Sequence, residues 1–132
     1  MNKVVARFAD GRIVKGMTID FSPGKDIFHM TEMDTASGAT SAVIHTQDLK
    51  ALYFVKDFAG DPHRADRNEL DPSQPAVMRP VRVTFADGEV LVGTTAGYQS
   101  GRPGFFLVPV DTDSNIERCY IVIASTREIR LL

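Results

Sequence analysis

The stretch VARFADGRIV, from Val5 to Val14, alternates apolar and polar positions on either side of Asp10-Gly11. A period of two places successive side chains on opposite faces of a strand. Asp-Gly between two such runs is the favoured pair for a two-residue hairpin turn, whose central residues take positive φ. The same reading holds for RVTFADGEVL, with Asp87-Gly88 in the turn. Gly16 and Gly93 fall inside the strands that follow, where a missing side chain permits a sharp bend. A third strand is predicted at Asp26–Glu32 and again at Gly104–Val110, and a fourth at Ser41–Thr46 and Cys119–Ala124. A fifth follows at Lys50–Val55 and Arg127–Leu132, entered through short polar turns at Thr46–Asp48 and Ala124–Thr126. No segment sustains a helical period, so the expected class is all-β.

These strands come in two sets because the chain repeats itself. Residues 4–55 align without a gap on residues 81–132, and 13 of the 52 aligned positions are identical. Phe8-Ala9-Asp10-Gly11 falls on Phe85-Ala86-Asp87-Gly88, Gly16 on Gly93, Phe28 on Phe105 and Ile44 on Ile121. Chance could repeat one tetrapeptide but would not hold register to the last residue. The expected organisation is a first unit over residues 1–55, a linker over 56–80 and a second unit over 81–132. Four of the seven prolines, Pro62, Pro72, Pro75 and Pro80, stand in that linker. HRADRNEL within it is read as loop in preference to a helical turn.

Composition narrows the function classes. With 43% hydrophobic and 24% charged residues, the 132-residue chain is globular in make-up and long enough for a real core. A net charge of −2 argues against a sequence-independent polyanion binder such as a DNA-coating protein. Cys119 is the single cysteine, so no intrachain disulfide forms, as suits a reducing compartment. No apolar run reaches membrane-spanning length, and the N-terminus enters alternation with no apolar signal stretch. A cytoplasmic location away from membranes is therefore expected.

Five strands per unit, a hairpin at Asp-Gly, a glycine-bent second strand and a short fifth strand after a tight turn resemble the Sm-like small β-barrel. The pair of Phe-x-Asp-Gly units, with LKALYFVKDF closing the first, also resembles an uncharacterised bacterial family of unknown function. The Sm-like resemblance implies barrels that bind uridine-rich RNA through two loops and join through edge strands four and five. In those loops this chain has SPGKD and QSGRP, then TQD and AST, without the Asn or the Arg-Gly step of the Sm pattern. RNA binding is accordingly the second reading, not the first.

Among local motifs, DFSPGK at Asp20–Lys25 is similar to the Asp-x-Ser-x-x-Gly box of PilZ domains, which bind cyclic di-GMP. That resemblance implies ligand contacts from Asp20 and Ser22. Gly24 comes one position early, however, and Arg7 and Arg12 are one residue too far apart for the upstream arginine pair. Lys25 and Arg102 occupy equivalent loop positions, as do Lys50 and Arg127, so the four form candidate positive spots on a solvated rim. DTDSNIE at Asp111–Glu117 is similar to a calcium loop but lacks its glycine and closing glutamate, which leaves an exposed polar loop. His29, His45 and His63 have no acidic residue or cysteine at a metal-ligand spacing beside them. Cys119 begins an apolar strand and reads as a small packed residue.

No catalytic residue, metal site or cofactor emerges. Asp20, Ser22, Lys25 and Arg102 are the candidate ligand-binding positions, and Asp10, Gly11, Gly16, Asp87, Gly88 and Gly93 are the structural turns and bends. The expectation is an oligomer-forming interaction or scaffold module. Its two small units would pack together or share a sheet edge. Its remaining edge strands would meet a protein partner or another copy of the chain.

Overall fold

A computed structural model describes residues 2–32, 40–57, 78–98, 101–111 and 114–132. The first five strands are β1 (Asn2–Phe8), β2 (Ile13–Thr18), β3 (Ile27–Glu32), β4 (Thr40–His45) and β5 (Leu49–Val55). The next five are β6 (Arg79–Phe85), β7 (Val90–Thr95), β8 (Gly104–Pro109), β9 (Ile116–Val122) and β10 (Thr126–Leu131). Single 3₁₀ turns at Thr46–Asp48 and Ile123–Ser125 lead into β5 and β10. β6 starts at Arg79, so the last residues assigned to the linker are already strand. HRADRNEL and His63 lie outside the described residues.

The strands form one ten-stranded sheet in the order β10-β6-β7-β8-β9-β5-β1-β2-β3-β4, with every neighbour antiparallel. The repeat reappears in the ladders. Val4 faces Gly16 and Phe54, while 77 residues on Val81 faces Gly93 and Leu131. Phe28 faces Ile44, just as Phe105 faces Ile121. The β5–β9 pairing has no counterpart elsewhere in the sheet, and it joins the halves.

Each Asp-Gly hairpin differs in detail from the two-residue expectation. The Phe8 amide donates to the Arg12 carbonyl and the Gly11 amide to the Phe8 carbonyl, so the loop spans Ala9, Asp10 and Gly11. Only Gly11 has positive φ, at 98°, and Gly88 repeats this at 93°. An Asp with ordinary φ suffices because the third loop residue takes the left-handed conformation. At Gly16, β2 pairs with β1 and β3 at once, and an added Cβ would run into the Thr31 carbonyl oxygen. The glycine there permits a close backbone approach as well as a bend.

Two hydrophobic cores result, and both draw on β5 and β9. Leu49, Leu52 and Phe54 enter the first with Val4, Ala6, Phe28 and Met30, while Ala51, Tyr53 and Val55 enter the second. Reciprocally, Tyr120 and Val122 of β9 enter the first core, whereas Cys119 and Ile121 enter the second with Val81, Val83 and Phe85. All seven β5 residues are buried. Across this seam Phe21, Phe54, Phe106 and Tyr120 make edge-to-face ring contacts at centroid separations of 5.1–6.1 Å. The Arg118 guanidinium lies 4.4 Å from the Phe54 ring centre and 4.6 Å from that of Phe106.

Hydrogen bonds reinforce the seam. Ser125 Oγ donates to the Leu49 carbonyl at 3.0 Å. Asn115 accepts from the Asp57 amide at 2.9 Å and donates to the Asp57 carbonyl at 2.7 Å. Asp111 and Ser114 are buried, unlike the exposed polar loop expected there, while Thr112 and Asp113 lie outside the described residues. The Ser114 amide donates to the Asp111 carbonyl, and the Ile116 amide to Ser114 Oγ, which turns the chain directly into β9.

Candidate functional site

Hairpin carboxylates have two fates. Asp10 accepts from the Arg12 amide at 3.0 Å and from Arg12 Nε at 2.9 Å, and the Arg12 amide is the larger cause of its lowered pKa. Its counterpart Asp87 accepts the Glu89 amide at 3.0 Å, but its other oxygen takes Lys50 Nζ at 2.7 Å. Glu89 receives the same ammonium at 2.6 Å, and Nζ lies 4.6 Å from the Phe85 ring centre. Lys50 is only 8% exposed, which corrects its assignment to a solvated rim. The reason is topological: β5 lies at the middle of the sheet, so a side chain there meets the other half. Arg127, on the edge strand β10, does remain exposed.

Removing one partner from this cluster has a direction-dependent effect. Lys50→Met is expected to change stability little, since Asp87 and Glu89 are solvated enough to stand alone. Asp87→Asn with Glu89→Gln is expected to lower the urea-unfolding midpoint, because it removes both counter-charges from a buried ammonium. Lys50 is also what chiefly holds the Asp87 carboxyl below its ordinary 3.8. A lowered folded-state pKa gives stability that is complete above 3.8 and lost as pH falls through the lower value. The acid-induced drop in melting temperature should therefore be smaller in Lys50→Met than in the parent.

The four candidate ligand positions separate into two places. Asp20 is occupied internally. One carboxylate oxygen accepts from Thr18 Oγ1 and the His29 amide, and the other meets His29 Nδ1 at 2.7 Å. The His29 ring is the leading cause of the lowered Asp20 pKa. Both oxygens are thus committed within the β2–β3 connection. The pairing escapes a sequence reading, because nine residues separate the partners and the second half has Gly97 and Phe106 in their places. Ser22 supplies the carbonyl that closes a turn with the Lys25 amide at 3.0 Å.

Lys25 and Arg102, by contrast, come together. They line one cleft of about 320 Å³ where the β2–β3 loop of the first half meets the β7–β8 loop of the second. Tyr120 and Val122 of β9 form part of its wall, and Gly101 holds its loop at φ 92°. Asp26 shares the cleft, so the two cations are partly offset. Asp20 and Ser22 are not among its lining residues.

The remaining surface feature is the pair of sheet edges. Among the described residues, ten strands in linear order leave β4 and β10 each without a neighbour on one side. β10 reads TREIRL, and Arg127, Glu128 and Arg130 on it are exposed. β4 reads TSAVIH and carries no Asp, Glu, Lys or Arg. On the outward face of β3 and β4, Val43 is 54% exposed opposite His29, and Ile27 is 42% exposed opposite His45. Charged edges resist strand addition, whereas uncharged apolar ones invite it.

A family model matches residues 1–132 from end to end. The chain belongs to the family of unknown function DUF6982. No curated protein matches it, and no solved structure does. For this DUF6982 chain the described side chains bring no three of His, Cys, Asp and Glu together as a metal site. Cys119 is fully buried, and burial pushes its thiol far above the ordinary value, as it also does the Tyr53 hydroxyl. Among the described residues no helix is long and apolar enough to cross a membrane.

Proposed function

We propose that the protein is a non-catalytic interaction module of the cytoplasm, built from two small Sm-like units, which engages protein partners by strand addition at its β4 edge. One observation carries the reading: of the two edges left unpaired among the described residues, β4 carries no Asp, Glu, Lys or Arg while β10 carries three such residues. Backbone groups along such an edge offer affinity, and alternate side chains offer specificity. The burial of the single cysteine, Cys119, supports the non-catalytic part of this reading.

A second reading draws support from Lys25 and Arg102 sharing one cleft, which suits an anionic ligand such as RNA or cyclic di-GMP. Native mass spectrometry of protein purified gently from its own host separates the two. Under the interaction reading, species heavier than a monomer contain only protein and disappear in Val43→Lys. A bound nucleotide or RNA, lost when Lys25 and Arg102 are replaced by alanine, would replace that reading with the second. A bare monomer throughout would sink both.

A further inference from the structure

We propose that β4 pairs antiparallel with β4 of a second copy, across a two-fold axis normal to the sheet, so that two ten-stranded sheets join edge to edge. This rests on the interaction-module reading and names the partner. The starting point is the seam. β9, the counterpart of β4 in the repeat, already receives a neighbour along the same edge, namely β5. In the second half this strand position is an accepting edge, and in the first half no described strand occupies it.

Copying the seam between chains would place β10 of one molecule on β4 of the next. The chemistry of β10 opposes that. Glu128 and Arg130 would occupy the places of Ala51 and Tyr53, which in the seam enter the other half's core. Carrying those charges into a core is costly. As solvent-facing residues, with Arg130 Nε 3.7 Å from a Glu128 oxygen, they protect the edge instead. Head-to-tail chains are thereby disfavoured, and β10 is the guarded end of the sheet.

β4 suits its own copy. A two-fold axis sets each residue against a residue of the same strand, and β4 brings no Asp, Glu, Lys or Arg to that contact. Antiparallel addition also continues the pattern of every existing pair in the sheet. With the axis normal to the sheet, outward side chains meet outward side chains. Val43 then lies against Val43, Ser41 or His45 of the second copy, according to register. Ile27, one strand in, extends the apolar surface behind the contact. Six residues of edge bury less than a standard interface of about 1,200–2,000 Å², so the dimer should be weak and dependent on concentration.

Sedimentation velocity on the purified full chain tests this between about 1 and 200 μM, the range in which weak interfaces populate. The weight-average mass should climb from 14.5 kDa towards twice that value. Val43→Lys should weaken association about tenfold or more, while Arg130→Ala should leave it unchanged. Melting curves in dilute solution check that Val43→Lys is folded, as expected for a side chain half in solvent. Independently, Val43→Cys treated with a short bis-maleimide should give a covalent dimer, since Cys119 is buried and unreactive. A wild-type chain that stays monomeric across the range, or a dimer indifferent to Val43→Lys, overturns the proposal. Monomers here together with Val43-dependent protein complexes from the host would remove the second copy and keep the β4 edge. Val43-independent behaviour in both experiments would remove both.

Discussion

Fragments 1–57 and 78–132, made separately, are expected to stay unfolded alone and to regain strand structure when mixed. Each core is completed by strands from the opposite half. Without β9 the first loses Tyr120 and Val122, and without β5 the second loses Ala51, Tyr53 and Val55. A free first fragment would expose those last three along its edge, an invitation to aggregation. Chains of fewer than about 60 residues bury too little surface to tolerate such losses easily. Far-UV circular dichroism with thermal melting is the check. A cooperative melt from either fragment alone would show that the halves are independent, contrary to the shared cores.

Tyr120→Ala is expected to lose about 3–5 kcal/mol and to lower the melting temperature by roughly 10–20 °C. Tyr120 is 1% exposed, lies 5.1 Å from Phe21 and 5.4 Å from Phe106 between ring centres, and its ring covers Gly104 so closely that a Cβ there would collide with it. The equivalent substitution in the other half, Val43→Ala, removes a side chain half in solvent and should stay within about 0.5 kcal/mol. Both variants should keep a single unfolding transition, since one sheet and two interlocked cores unfold together. Two separate transitions in Tyr120→Ala would contradict that coupling.

Local pattern made much of this legible. The sequence pattern located all ten strands, and the ladders of the two halves repeat each other at the offset of 77. The seam was harder to see because it depends on comparison, not on pattern. Where β5 has Ala51 and Tyr53, β10 has Glu128 and Arg130. Read alone, the first set is merely an apolar strand. Read against the second, it marks a strand covered on both faces. Lys50 misled for the same reason: a lysine aligned with Arg127 looks like rim, and only the strand order reveals that it meets the opposite hairpin. Asp20 and His29 are paired by a loop whose path no spacing rule dictates. Lys25 and Arg102 are equivalent in the repeat, yet their meeting in one cleft follows from the packing of the halves.

Backbone amides in β5 are bonded between β1 and β9 and shielded above and below by side chains of two cores. Proton exchange with solvent there requires opening of the whole sheet, whereas β4 and β10 can fray one strand at a time. The lifetime of the native state is therefore set at the junction of the two copies rather than within either one. A duplication that left its units merely tethered would have had two such clocks; this chain has one.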